Sequence, residues 1–331
     1  MRNFWKLSLG VFALTIAVAV STTATAGEKA NADIVVGASI ENIDSQFWVA
    51  NVNAMRDEAK KFGIQYFEVV AEGDINKQQQ QIENLISQKV DAIVCIPKDK
   101  VAIVAAAKKA NEAGIPFITN NRAAEKGAVI AFNVESDNYS MAKREAEWLV
   151  DYAKKNNTKL ITLVFVGDLK DINAGQRDRG FTEVAEANPQ YIEIATKIPS
   201  DWKPELALAG TINALNANPD INCIFTPSDF LLPAIKSGME QNDRWIPKGE
   251  EGHIVLATFD GAPDAMEAIR EGYVDVCLVQ NADMSGRVCI QNAVILAKGQ
   301  KLESDNLQDP GLLVTGDNYE AQKHLLWGHE E

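Results

Sequence analysis

Planar hydrogen-bonding groups and aromatic rings recur just past the short apolar runs of this chain. Ser39, Glu41, Asn42, Ser45, Phe47 and Trp48 follow the start of IVVGAS, and Asn120, Asn121 and Arg122 follow PFIT. Gly167, Asp168 and the segment NAGQRDRGF, with Arg177 and Arg179, follow LITLVFV. Asp201 and Trp202 follow YIEIATK, Thr226, Pro227, Ser228 and Asp229 follow INCIF, Asp260 follows IVLATF, and Gln280 closes VDVCLVQ. Carboxylate, amide and guanidinium groups can each bridge two adjacent hydroxyls, because a hydroxyl both donates and accepts. Indole and phenyl faces stack on the C–H faces of a saturated ring. The set suits a pyranose, a furanose or a cyclic polyol. Each member also has a plainer use. One of Phe47 and Trp48 is expected in the core, Trp202 sits where a ring can pack locally, and Arg177 and Arg179, two apart on a helix, cannot share a face.

These residues need a scaffold that collects strand ends. Strands are expected over 34–39, 65–71, 91–96, 116–119 and 128–134, alternating with helices of period near 3.6 over 77–88 and 101–113 and one containing Phe47, Met55 and Ala59. A second series follows: strands over 160–166, 191–197, 221–225, 254–259 and 274–280, with helices over 139–155, 175–187, 205–215, 231–240, 263–271 and 284–298. Such alternation predicts an α/β fold of two Rossmann-like, doubly wound parallel-sheet domains. Ligands of such sheets bind beyond the carboxyl ends of the strands, where the polar residues cluster. With no Pro/Gly/Ser-rich linker, short crossings near Val134, near Gln280 and over 309–312 would join the halves. The expected division is 1–26 as a signal peptide, 27–134 plus 281–311 as the N-terminal lobe, and 135–280 plus 312–331 as the C-terminal lobe.

Arg2 and Lys6, an apolar run over 7–20 and Ala24-Thr25-Ala26 read as a secretory signal cut before Gly27, which places the protein in the bacterial periplasm. Its removal takes two cations and moves the net charge from −14 to −16. Such a surface repels nucleic acid. Of the four cysteines, Cys95, Cys223 and Cys277 lie in apolar runs and are expected as buried free thiols. His253, His324 and His329 lack metal-ligand spacing and are assigned to the surface. No G-x-S-x-G, H-E-x-x-H, P-loop or G-x-G-x-x-G occurs, so no enzyme, cofactor or metal is expected. Asp229 and Asp260 are read as hydroxyl acceptors rather than as a hydrolytic carboxylate pair.

Several ordered motifs carry a resemblance: SQFW, QIENLISQKVDAIVCIPKD, AGIPFITNNR, NVESDN, RDRGF, FDGAPDA, and Gln280 before NADMSG. Together they resemble the ribose-binding-protein family of periplasmic sugar-binding proteins, the substrate-binding components of ATP-driven (ABC) importers, over about residues 34–315. The resemblance implies two lobes joined by a three-strand hinge, closing on a ligand between them. It places the ligand contacts on Ser39, Ser45, Phe47, Trp48, Asn121, Arg122, Arg177, Trp202, Ser228, Asp229, Phe259, Asp260 and Gln280, and favours Arg177 over Arg179. Asn121 stands where the family has Asp, and Ser228 and Ser45 where ribose binders have Asn. These departures leave the sugar open. The expected function is capture of a monosaccharide or cyclic polyol by a monomer and its delivery to a membrane permease. The alternative is presentation of a ligand to a chemoreceptor or sensor kinase. A sugar-responsive repressor would need a basic helix-turn-helix where the signal segment stands.

Overall fold

Five helices of this chain start at a short polar cap, Ser45, Asp74, Asp137, Asp171 or Asn281, whose side chain accepts a first-turn amide. The computed structural model describes residues 29–329; the expected signal segment and its cleavage site lie outside the described residues. The first eight elements are β1 (Val35–Ile40), α1 (Gln46–Phe62), β2 (Gln65–Val70), α2 (Ile75–Ser87), β3 (Ala92–Ile96), α3 (Ile103–Glu112), β4 (Phe117–Asn121) and β5 (Phe132–Ser136). The second series is α4 (Asn138–Lys155), β6 (Leu160–Val166), α5 (Ile172–Ala187), β7 (Ile192–Pro199), α6 (Pro204–Ala217), β8 (Cys223–Phe225), α7 (Leu232–Glu240), β9 (Val255–Asp260), α8 (Pro263–Glu271) and β10 (Val276–Val279). The chain then adds α9 (Ala282–Ala297), β11 (Asn306–Asp309), β12 (Leu312–Thr315) and α10 (Tyr319–Gln322).

The strands form two sheets, ordered β11-β5-β4-β3-β1-β2 and β12-β10-β9-β8-β6-β7. All pairs are parallel except β10 with β12. Setting aside the late strands β11 and β12, the two sheets share one order. β4 and β9 therefore hold equivalent places, and Asn121 and Asp260 are their last residues. The central strands β3 and β9 are buried throughout, as parallel strands covered on both faces must be. The edge strand β2 instead alternates exposed and half-buried positions at its start.

Apolar side chains pack into separate clusters on the two faces of each sheet. On one face of the second sheet Phe181 and Phe225 lie 4.2 Å apart and Phe225 meets Phe259 edge-on at 6.1 Å. Burying each such ring stabilises the lobe by about 1.5–3 kcal/mol. The chain passes between the sheets three times, between β5 and α4, β10 and α9, and β11 and β12.

The elements differ from the expected ones mainly at their ends. β4 runs on to Asn121, with the Asn120 side chain turned into the lobe, where its Nδ2 donates to Asn51 Oδ1 at 2.9 Å. α5 starts three residues earlier than expected, since the Asp171 carboxylate accepts from the Asn173 amide and caps it there. β11 and β12 were expected only as a crossing: the sequence NLQD carries no apolar run, and its strand exists through pairing with β5. All four cysteines are buried and free, as expected for Cys95, Cys223 and Cys277. His253 is a correction to the surface assignment: its side chain is 8% exposed and pairs with the fully buried Asp275 carboxylate at 3.0 Å.

Candidate functional site

The carboxyl ends of the strands from both sheets face one another, and the polar groups noted in the sequence converge there. Ser45 caps α1 by accepting from the Trp48 amide at 3.2 Å, which fixes Phe47 and Trp48 in the helix's first turn. Their rings meet edge-on at 5.1 Å. Beside them Asn121 ends β4 with φ +62, a left-handed conformation that asparagine tolerates better than most residues. Arg122 comes next. Its guanidinium lies 5.2 Å from the Trp48 ring centroid, and Nη1 donates to Glu41 Oε1 at 2.6 Å. Its Nε lies 3.0 Å from Asp171 Oδ2 of the second lobe, an ionic contact whose angle is too poor for a hydrogen bond. Burial pulls the Arg122 pKa down, but Asp171 and Glu41 outweigh it and raise it, so the group stays a cation.

The second lobe supplies the opposing wall. Arg177, 3% exposed on α5, donates from Nε to Asn138 Oδ1 at 2.7 Å and from Nη1 to the Pro227 carbonyl. Its Nη2 lies 3.2 Å from Asp260 Oδ1, and its guanidinium lies 4.7 Å from the Phe259 ring centroid. Asp260 adopts φ +94 and accepts from Ser228 Oγ at 2.5 Å and from Gln280 Nε2. Asp229 sits behind it and accepts from the Ala262 amide at 2.6 Å; burial, then the Asp260 charge, pushes its carboxyl well above the usual range. Trp202 follows Asp201 in a left-handed turn, with φ +58 and +50. Its indole lies flat on Gly167, where a Cβ would stand 2.2 Å from Cζ2. The indole Nε1 is buried with no protein acceptor.

Between the walls lies a cavity of about 200 Å³. Ser45, Phe47, Trp48, Asn121 and Arg122 line it from the first lobe; Arg177, Trp202, Ser228, Asp260 and Gln280 complete the expected lining. Ser39, Asp229 and Phe259 lie behind its wall. Arg179 stays outside as a 63% exposed side chain. Only one member of the Asp229–Asp260 pair faces the cavity, so the two do not flank a shared substrate position as hydrolytic carboxylates would. No cluster able to hold a metal ion exists among the described residues.

Hydrogen bonds cross between the lobes around the cavity. Asn173 Nδ2 donates to Asn121 Oδ1 at 2.8 Å and Asn121 Nδ2 donates to Gln280 Oε1 at 3.1 Å, while within the second lobe Gln280 Nε2 donates to Asp260. Further out, Lys98 Nζ reaches Asp168 at 3.3 Å and the Lys100 amide donates to the Lys170 carbonyl at 3.3 Å. Glu41, Lys98, Asp171, Asn173 and Phe230 were not among the expected contacts, yet all line the cavity. The signal for Asp171 and Asn173 was the cap motif DIN before the helix. The signal for Glu41 and Lys98 was their place just past β1 and β3.

The fold and cavity define a two-domain α/β binding protein with its ligand site between the lobes. A family model described as a periplasmic binding protein domain matches residues 36–301, and the chain belongs to that family. It is 27% identical over 271 residues to the ribose import binding protein of Bacillus subtilis, covering 82% of this chain and 84% of that one. It is 29% identical over 317 residues to a putative rhizopine-binding protein of Rhizobium meliloti, covering 93% and 96%. A solved ABC transporter solute binding protein from Bacillus halodurans with bound myo-inositol superposes with a TM-score of 0.80 at 25% identity, covering 89% of this chain and 98% of that one. The Bacillus subtilis and Bacillus halodurans proteins are transport binding proteins, and this chain is a binding protein of the same kind rather than an enzyme.

Proposed function

We propose that the mature chain, freed of residues 1–26, works in the periplasm by capturing one neutral monosaccharide or cyclic polyol between its lobes and handing it to the membrane permease of an ABC importer. The observation that carries this reading is the cavity wall: rings from both lobes, Phe47 and Trp48 of the first and Trp202 and Phe230 of the second, line it together with amides and paired ions. Rings take the C–H faces of a saturated ring, and the planar groups take its hydroxyl rim. The cavity volume of about 200 Å³ falls below the ~300–1,000 Å³ of drug-sized pockets, which fits a single ring.

Charge narrows the class. Arg122 is already matched by Glu41 and Asp171, and Arg177 by Asp260, so neither cation is left to draw an anionic ligand. Five lining carboxylates, Glu41, Asp44, Asp171, Asp201 and Asp260, stand against Lys98, Arg122 and Arg177. A sugar phosphate or sugar acid would meet net repulsion. The ligand's role in closure follows from the crossing bonds. Asn121–Asn173 and Arg122–Asp171 form only with the lobes together, so a ligand touching both walls shifts the population toward the shut form.

A thermal-shift panel of neutral monosaccharides, cyclic polyols, sugar phosphates and amino acids, paired with a native mass spectrum of whatever co-purifies, tests the reading. A neutral ring compound should raise the melting temperature and appear in the spectrum. A response confined to phosphates or amino acids would replace it.

A further inference from the structure

The C-terminal segment after α10 does more than finish the second lobe. Tyr319 and Leu326 anchor it in that lobe's core, at 3% and 6% exposure, and the Tyr319 hydroxyl lies 2.9 Å from His329 Nδ1. Trp327, the residue after Leu326, packs against the apolar cores of both lobes. Its ring meets Phe47 of the first lobe edge-on at 5.8 Å and 79°. Its Nε1 donates to the Asp260 carbonyl at 3.0 Å. Gly328 lies flush on the turn that follows Asp260, where a Cβ would stand 2.1 Å from the Gly261 carbonyl oxygen.

Both partners of Trp327 are cavity residues. Asp260 holds a φ of +94, a conformation that a non-glycine residue keeps only when its surroundings impose it. Three bonds do so: Trp327 Nε1 and the Gln280 amide, at 3.3 Å, both reach the Asp260 carbonyl, and Asp229 takes the Ala262 amide. Phe47 has no equivalent polar tether, and its ring position depends on what packs beside it: Trp48 on one side and Trp327 on the other.

We propose that Trp327 is a positioning residue for the cleft, holding the Asp260 turn of one lobe and the Phe47 ring of the other at once, so that the C-terminal strap sets the spacing of the two walls when they are shut. The affinity part of this proposal rests on the sugar-binding reading above; the structural part does not. Removing the indole N–H alone should loosen the Asp260 turn. Removing the ring should also free Phe47.

The test compares the full mature chain with Trp327→Phe and Trp327→Ala, using backbone hydrogen exchange without ligand and calorimetry with myo-inositol and D-ribose as probes. Trp327→Phe should speed exchange at the Gly261 and Ala262 amides and weaken probe binding by about 3- to 10-fold, the range for one lost hydrogen bond. Trp327→Ala should in addition speed exchange at Phe47, Trp48 and Val49 in the other lobe, and weaken binding further. A residue that merely completes the core of the second lobe would lower the melting temperature of Trp327→Ala and leave exchange at 47–49 at the wild-type rate, and that result would overturn the proposal. So would unchanged exchange at 261–262 in Trp327→Phe, which retains a ring and is the variant expected to fold normally. If neither probe bound the wild type, the calorimetry would use the neutral ring compound found in the thermal-shift panel, while the exchange data would still decide the role of the strap.

Discussion

Asn121 hands a hydrogen bond to Gln280 at 3.1 Å, and Gln280 hands one on to Asp260, so the amide of one lobe fixes which way round the glutamine presents itself to the carboxylate of the other. Each partner has only one workable orientation. Asn121 takes the Asn173 amide on its Oδ1, which leaves Nδ2 for Gln280 Oε1 and Gln280 Nε2 for Asp260. The resemblance places an aspartate at 121, and the chain has the one substitution that supplies a donor there. Asn121→Asp sets a carboxylate against the Gln280 carbonyl oxygen. Flipping the glutamine only moves the repulsion to Asp260. Ligand affinity should fall about tenfold, since one buried bond is lost and an acceptor is left facing another. Calorimetry against the ligand found in the panel checks this, and an affinity equal to wild type would mean that the relay does not operate in the shut form.

Gly167 governs the second wall through what it lacks. A Cβ there would stand 2.2 Å from Trp202 Cζ2 and within 2.5 Å of Cη2 and Cε2, so the indole can lie in the cavity wall only over a glycine. Its φ lies outside the left-handed range, so Gly167→Ala strains the contact and not the backbone. The indole should swing away. The fold should persist, while affinity drops about 3- to 10-fold through the lost ring contact, typically ~0.5–1.5 kcal/mol. Ligand-induced tryptophan fluorescence should shrink in parallel, and the companion Trp202→Phe should lose less affinity than Gly167→Ala.

The alternation of strand and helix was legible because parallel strands buried on both faces are short apolar runs, as in LITLVFV and AIVCI. The cavity residues were legible where an apolar run stops at a polar one, as at Asn121, Asp260 and Gln280. Asp171 and Asn173 escaped because the apolar period that marks α5 begins only after its cap. Ser39 and Phe259, placed among the contacts by the resemblance, are strand-internal at 0% exposure and do not line the cavity. Alternation along a strand does not say which face is the cleft. β11 escaped because its strand state is owed to a partner far away in sequence. Trp327 was unreadable for the same reason: nothing local to LLWGHE points to Asp260 or Phe47.

His253 ties stability to pH at a site remote from the cleft. Burial lowers its pKa, but the hydrogen bond and charge of Asp275 outweigh that and raise it above the ordinary value of 6.5, with Lys248 opposing. Asp275 is held in place by the Leu256 amide at 3.0 Å as well. A group whose pKa is raised on folding contributes stability that is complete below its unfolded value and is lost as pH rises through the folded one. The His253 contribution to the melting temperature of the ligand-free protein should therefore be lost as pH rises from about 6 through the raised folded value. His253→Gln removes the titrating ring and leaves Asp275 with only Lys248, at 3.9 Å, as a cationic neighbour. Relative to wild type it should melt lower at about pH 6, by on the order of 3 °C, with the gap narrowing as the wild-type histidine deprotonates. Melting curves of both proteins across that window check the sign, and a gap that widened with pH would show that the imidazole is held neutral against Asp275.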